Sequence, residues 1–317
     1  MKQIKAIIAI IICLLLSVTG LDGNNILSNM TVNAEPIYKI QLDKEMQKKY
    51  IMKEESVEEG ECYHFYDKKK PESDWLFRIE ISELFPEYNT DFVVMGKIDS
   101  SRGYNETGSL YIRIGYNHKN KTIKRDAETI VKNMKVYRGK FYPVKNRKNW
   151  EDKYLTFLQR NTIENENISV SYPNMYLIYV DNDKIPELLL DGVSEANGMP
   201  LLAIYKSNVK CTITERHGFT YIRKKNRVNI STGHMGLCSD YICSLKNGEL
   251  KKIASGDYNY NEYDQNGNPK VTYYWEGKKV SKKTYNKNLK KYFDVKKASG
   301  LPRSKSYYEM MHYFFFG

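Results

Sequence analysis

The chain has 317 residues, a formal net charge of +12 and 41% hydrophobic residues. That length exceeds one ordinary domain and that apolar content excludes a disordered chain, so two domains with separate cores are expected. Its 27 Tyr beside 11 Phe suit half-exposed sheets and polar grooves, because a Tyr ring packs while its hydroxyl stays wet.

The first residues read as an export signal. Lys2 and Lys5 precede an apolar run over residues 6–16 that contains Cys13. A spanning helix needs about 20 apolar residues, so this run is short for one. A charged start, a short apolar run and small residues afterwards describe a signal peptide over residues 1–34. Val32 and Ala34 place the cut after Ala34, with Val18 and Gly20 marking an earlier alternative. Cys13 lacks the small residues that precede a lipidated cysteine, and an uncleaved anchor is the competing reading. The expected product is secreted or held at the cell surface, with no transmembrane segment after cleavage. Loss of Lys2, Lys5 and Asp22 leaves it a net charge of +11. Outside a cell such a balance favours teichoic acids, acidic glycans or phospholipid head groups, while lysines spread for solubility are the plainer explanation. No nucleic-acid motif is present.

Residues 35–148 form a β-rich N-terminal domain. Residues 42–57 are charged, with a short helix behind Asp43. Residues 75–81, 92–98 and 109–114 alternate apolar and polar, as half-buried strands do, around a polar turn at 99–108. Asp126 caps a short helix that carries Ile130, Val131 and Met134. The basic link at 145–149 is the boundary.

Residues 149–317 form an α+β C-terminal domain. Asn149 caps a helix whose Trp150, Tyr154, Leu155 and Leu158 share one face, a stripe that reads as core. After a polar turn at 161–167 come strands at 175–180 and 185–190, then at 199–205, 209–213, 219–224, 241–250 and 268–280. Asn247-Gly248, Asn266-Gly267 and Glu276-Gly277 mark turns. Short, regular strand spacing makes an antiparallel meander. Ser281 caps a last helix with Tyr285, Leu289, Tyr292 and Phe293 on one face, and Val280 staples it to Tyr285. Residues 307–316 read as a helix that docks on this domain, with an apolar partner patch as the alternative. The fold class is therefore α+β, mainly antiparallel sheet with a few flanking helices, in two domains.

The most distinctive stretch is 175–190, MYLIYVDNDKIPELLL, two apolar runs around Asp181, Asn182 and Asp183. Such a loop offers oxygen ligands for a hard cation, or else Asx turns in which Asp181 and Asp183 accept backbone hydrogen bonds. The segment resembles the loop of FG-GAP/VCBS-type repeats and uncharacterised secreted clostridial-type proteins, and the resemblance runs weakly over residues 150–293. In that pattern the loop reads DxDxDGxPE before a second strand, and its calcium ligands fall at the first, third, fifth and ninth positions. Here the third, fifth and ninth are Asp181, Asp183 and Glu187. The first is Tyr179, without a carboxylate, and Lys184 replaces the usual glycine. The resemblance thus implies Ca2+ as the cofactor and brings no activity.

Three further signals are present. Cys62, Cys211, Cys238 and Cys243 allow three disulfide pairings, or free thiols; 238 and 243 have the spacing of a small closed loop. No CxxC or HxxxH spacing supports zinc. His217 and His234 lie near Cys238 and Asp240, which invites a Cys-His hydrolase reading that needs the groups in contact; the acidic loop is the other hydrolase candidate. The hairpin at 258–275 brings Tyr258, Tyr260, Tyr273, Tyr274 and Trp275 together, either as a stacking surface for a glycan or as packing. The leading expectation is a non-enzymatic binding module for a polyanionic or glycan surface, with no catalytic residue assigned. The rivals are a secreted hydrolase and a structural calcium module.

Overall fold

A computed structural model describes residues 37–57, 60–83, 92–99, 109–118, 120–160, 162–214 and 218–317. The expected signal peptide, the turn residues 100–108 and His217 lie outside the described residues. In the first half, β1 (Tyr50–Val57), β2 (Gly60–Asp67), β3 (Phe77–Ser82), β4 (Phe92–Asp99), β5 (Ser109–Tyr116) and β6 (Lys140–Pro143) make one antiparallel sheet. Its order is β1-β2-β3-β5-β4-β6. Alternation along β3 decides which face is dry: Phe77, Ile79 and Ile81 are buried. Arg78 and Glu80 point the other way, and Glu80 takes ion pairs from Arg78 at 2.9 Å and Arg113 at 2.6 Å. Helix α1 (Lys121–Lys132) covers the dry face with Ile123, Ala127, Ile130 and Val131. Each large aliphatic side chain so buried contributes about 1.5–3 kcal/mol.

Two expectations change here. Asp126 is not the helix cap; Asn120 is, its side-chain oxygen accepting from the Ile123 N–H at 2.9 Å. Asp126 instead lies on the buried side of the helix, where Lys49 Nζ and the Tyr50 hydroxyl each donate to it at 3.0 Å. Residues 42–57 are helical for a single turn only, Met46–Lys49, begun by an Asp43 carboxylate that accepts from the Met46 N–H. The chain then runs straight into β1.

In the second half, α2 (Asn149–Leu158) buries Trp150, Tyr154, Leu155 and Leu158 along one face, as its pattern predicts. Its cap is Lys148 in place of Asn149, with the Lys148 N–H donating to Glu151 Oε2 at 2.7 Å. Strands β7 (Asn174–Ile178), β8 (Glu187–Asp191), β9 (Met199–Tyr205) and β10 (Asn208–Thr214) form a four-stranded antiparallel sheet in chain order. Strands β11 (Phe219–Ile222), β12 (Arg227–His234), β13 (Leu237–Lys246), β14 (Glu249–Tyr263), β15 (Pro269–Trp275) and β16 (Lys278–Val280) make a six-stranded meander. The meander was expected; β12 was not. The stretch read at 241–250 is the end of β13 and the start of β14, joined at the Asn247-Gly248 turn that the sequence marks.

The unbroken apolar run of β8 now has a cause. Leu188 and Leu190 face α2 and α4 (Tyr307–Phe316), while Leu189 faces the meander and meets Met199, Leu201, Phe219 and Val228. A strand covered on both faces carries no polar alternation. Helix α4 opens on a capping box: Ser306 Oγ accepts from the Glu309 N–H, and Glu309 Oε2 from the Ser306 N–H. It docks through Tyr307, Met310, Met311, Phe314 and Phe315, all buried. Its end also meets the first half, where the Lys145 N–H donates to the Phe315 carbonyl at 2.9 Å. Among the described residues no helix is long and apolar enough to cross a membrane.

All four described cysteines are free thiols. Cys238 and Cys243 are five residues apart on β13, so they point to opposite faces. At about 3.3 Å per residue along a strand they are too far apart for the roughly 7 Å reach of a disulfide. The small closed loop is excluded.

Candidate functional site

The acidic loop is the turn between β7 and β8. Those strands pair from Asn174 opposite Asp191 to Ile178 opposite Glu187, which leaves residues 179–186 to make the connection. Within it Asp181 Oδ1 accepts from the Asp183 N–H at 3.0 Å, and Asp183 Oδ1 accepts from the Ile185 N–H at 2.7 Å. Both are Asx turns. The loop is braced from outside: the Lys224 N–H donates to the Tyr179 carbonyl and the Asn226 N–H to the Val180 carbonyl. From below, the buried Tyr154 hydroxyl lies within hydrogen-bond reach of two carbonyls, Pro186 at 2.9 Å and Leu202 at 3.1 Å. Tyr154→Phe removes that brace and is expected to cost about 1–3 kcal/mol in a denaturant melt, because a buried carbonyl is left without a donor.

The loop brings its three carboxylates together. One oxygen each of Asp181, Asp183 and Glu187 lies within 4.8 Å of the others. Glu187 is only 3% exposed, and burial pushes its carboxyl up to about 8, reinforced by Asp181 and Asp183. The Val180 N–H, donating to Glu187 Oε2 at 2.7 Å, works in the opposite direction. Asp183 is also raised, again chiefly by burial. A single Ca2+ with oxygens at about 2.3–2.6 Å fits that span, and one oxygen from each carboxylate supplies at most half of its usual six to eight ligands. Exposed Lys184 sits between two of them in sequence.

The aromatic hairpin is a packing seam, one of the two readings that its sequence offers. Trp275 is 7% exposed, because α3 (Lys282–Tyr292) lays Tyr285 edge-on to it at 5.6 Å and stacks Tyr292 on it at 5.9 Å. Gly256 permits that closure: a Cβ there would lie 2.7 Å from the Tyr285 ring and 2.8 Å from Trp275. Tyr258 and Tyr273, 6.0 Å apart, are half-buried against Tyr285. Tyr274 is half-buried, and of the five only Tyr260 is exposed. The seam is pinned by Asp240, which accepts from the Tyr285 hydroxyl at 2.6 Å, Ser231 Oγ at 2.6 Å and Asn229 Nδ2 at 3.0 Å.

Among the described residues the Cys-His pair is not assembled. In the β12–β13 register Cys238 lies opposite Gly233 and His234 opposite Leu237, so the thiol and the imidazole leave the sheet on opposite faces. Asp240 shares the Cys238 face but is committed to Tyr285.

A surface that residue-by-residue motif reading missed lies on α3 and the chain around it. Residues 278–305 hold eleven basic residues and one acid, Asp294. That is an excess of ten; residues 113–148, with twelve basic residues and two acids, carry an equal one. Ser281 caps the helix, its Oγ accepting from the Thr284 N–H at 3.1 Å. Tyr285, Leu289, Tyr292 and Phe293 pack down against the meander. Opposite them, Lys283, Lys287, Lys290 and Lys291 share the exposed face, at the i, i+4, i+7, i+8 spacing that aligns side chains on a helix. Two ion pairs form in this stretch, Lys297–Asp294 and Arg303–Glu309. The signal was present as a period in the lysines, legible once the opposite face is known to be buried.

No protein-family model, no curated protein and no solved structure matches the chain.

Proposed function

We propose that this is an exported protein that holds an anionic envelope or extracellular polymer, such as a teichoic acid or an acidic glycan, against the lysine face of α3. The observation that carries the reading is the alignment of Lys283, Lys287, Lys290 and Lys291 on one exposed helix face, within a stretch, 278–305, of eleven basic residues and one acid. A surface shaped for solubility alone intersperses both signs. This one does not. Lys283–Lys287 and Lys287–Lys291 are like-charge pairs one helical turn apart, each costing the helix about 0.2–0.5 kcal/mol. Lys282 and Lys283 also oppose the positive end of the helix dipole. Packing makes no demand for them, since the apolar side is elsewhere; an anionic polymer relieves every one of these repulsions. Retention of residues 35–317 on purified cell wall and on heparin resin, read against sodium chloride, tests the proposal, and elution at low salt from both overturns it.

A second reading attaches to the acidic loop, where the convergence of Asp181, Asp183 and Glu187 favours a structural Ca2+ held with help from water or a partner's oxygens. Its expected result is a melting midpoint that rises in millimolar calcium over chelator, by an amount equivalent to about 2.7 kcal/mol at a hundredfold excess over the dissociation constant. The rise disappears in Asp183→Asn. A midpoint indifferent to calcium leaves the loop as a pair of Asx turns around a buried carboxyl.

A further inference from the structure

Strand β14 crosses the edge strand β10 where the two sheets of the second half meet, with the Leu250 N–H donating to Thr212 Oγ1 at 3.2 Å. Beside that crossing opens a cleft of about 600 Å³ lined by Tyr205, Lys210, Ser244, Lys246, Lys251 and Lys252, among others. Its one acid, Glu249, is paired with Lys251 at 2.6 Å. The end wall is the Asn247-Gly248 turn. Gly248, at a φ of +79°, lies so close that a Cβ would stand 2.9 Å from Tyr205 Cβ and 3.1 Å from Lys210 Cγ.

The turn that carries Tyr205 into β10 is strained. Lys206 and Ser207 both adopt positive φ, 45° and 68°, the conformation of a two-residue hairpin turn that favours Asn and Gly. Turns of the same kind at 164–165, 235–236, 247–248 and 276–277 each contain an Asn or a Gly; this one has neither. The turn also sets Lys206 Nζ 5.5 Å from the Tyr205 ring centroid, although Lys206 itself does not line the cleft. Strain of this sort gathers where function requires a fixed geometry.

We propose that this cleft binds a compact, multiply charged phosphate: a phosphate monoester or pyrophosphate group on a body no larger than a sugar. The volume falls in the range of small-ligand sites, about 300–1,000 Å³. The cations are all lysines. The Arg fork suits planar carboxylate and phosphate alike, whereas the Lys ammonium is a compact point charge that can approach phosphate oxygens from several directions. Tyr205 offers the body of the ligand an aromatic wall, and Ser244 and Asn247 offer neutral hydrogen-bonding groups. The site shares no residue with the α3 lysine face, so the two proposals fail separately.

Isothermal titration of residues 35–317 with inorganic pyrophosphate at 0.15 M salt tests it, with citrate as a carboxylate of similar charge. The expected result is one pyrophosphate per chain, weaker binding of citrate, and at least a tenfold loss of pyrophosphate affinity in Lys210→Gln/Lys246→Gln. Both substitutions are on the surface, and an unchanged far-ultraviolet spectrum checks the fold. Glutamine substitution of Lys283, Lys287, Lys290 and Lys291 is expected to leave that affinity within twofold. No binding of pyrophosphate at millimolar concentration, citrate binding as tightly, or a loss confined to the α3 variant overturns the proposal.

Discussion

In chelator at pH 8, Glu187→Gln is expected to melt several degrees above the native protein, and near pH 4 the two are expected to coincide. Glu187 is 3% exposed, and its carboxyl is pushed from 4.5 up to about 8 by burial first and by Asp181 and Asp183 after it. The folded chain therefore keeps a proton that the unfolded chain releases between those values. The stability that goes with the neutral carboxyl is fully present below about pH 4.5 and is lost as pH rises toward 8. The slope is about 1.4 kcal/mol per pH unit, which amounts to about 3 kcal/mol at neutral pH. Glutamine keeps the shape, and its carbonyl oxygen still accepts from the Val180 N–H, but it has no proton to lose. At about 2–4 °C per kcal/mol for chains of 150–250 residues, the difference is easily measured. A variant no more stable than the native protein at pH 8 contradicts the burial account. Calcium inverts the expectation: if the loop holds the ion, millimolar calcium favours the native carboxylate and the order of melting reverses.

The second large effect concerns binding. Gln at Lys283, Lys287, Lys290 and Lys291 together is expected to weaken retention on heparin and on cell wall between tenfold and a thousandfold at 0.15 M salt. The upper figure follows from about 1 kcal/mol for each lysine near an anionic surface; the lower allows for screening, since the Debye length at that salt is about 8 Å. The matched control takes four exposed lysines from the first half, Lys44, Lys69, Lys70 and Lys124. That variant loses the same formal charge and is expected to bind within threefold of the native protein. Equal losses in the two variants mean that net charge alone sets retention, which removes the face as a site. The α3 variant is also expected to be slightly more stable, because its like-charge pairs are gone.

Much of the fold was legible because its periods are clean. Phe77, Ile79 and Ile81 alternate with Arg78 and Glu80, and the chain makes a strand there. Trp150, Tyr154, Leu155 and Leu158 repeat at helical spacing, and α2 buries all four. Strand β12 was hidden because an inward position is polar: Asn229 is buried and its amide nitrogen donates to Asp240 on the neighbouring strand, a partner no local pattern reveals. The aromatic hairpin was legible only as two alternatives for a related reason. Trp275 is covered by Tyr285 and Tyr292 of α3, a contact set by tertiary packing.

The sites divide in the same way. Asp181, Asp183 and Glu187 converge because a tight turn forces neighbours in sequence to be neighbours in space. The lysine-lined cleft draws Tyr205 and Lys210 from one hairpin and Ser244 through Lys252 from another, so only the crossing of β10 and β14 makes it. The left-handed pair at Lys206 and Ser207 leaves no trace in the sequence, since neither residue is one that such a turn prefers.

The most direct measurement is lysine footprinting of residues 35–317: acetylation with and without saturating heparin, read residue by residue by mass spectrometry. The account predicts strong protection of Lys283, Lys287, Lys290 and Lys291, with Lys44, Lys69, Lys70 and Lys124 labelled as in the free protein. Protection spread evenly over both sets, or centred on the first half, contradicts it.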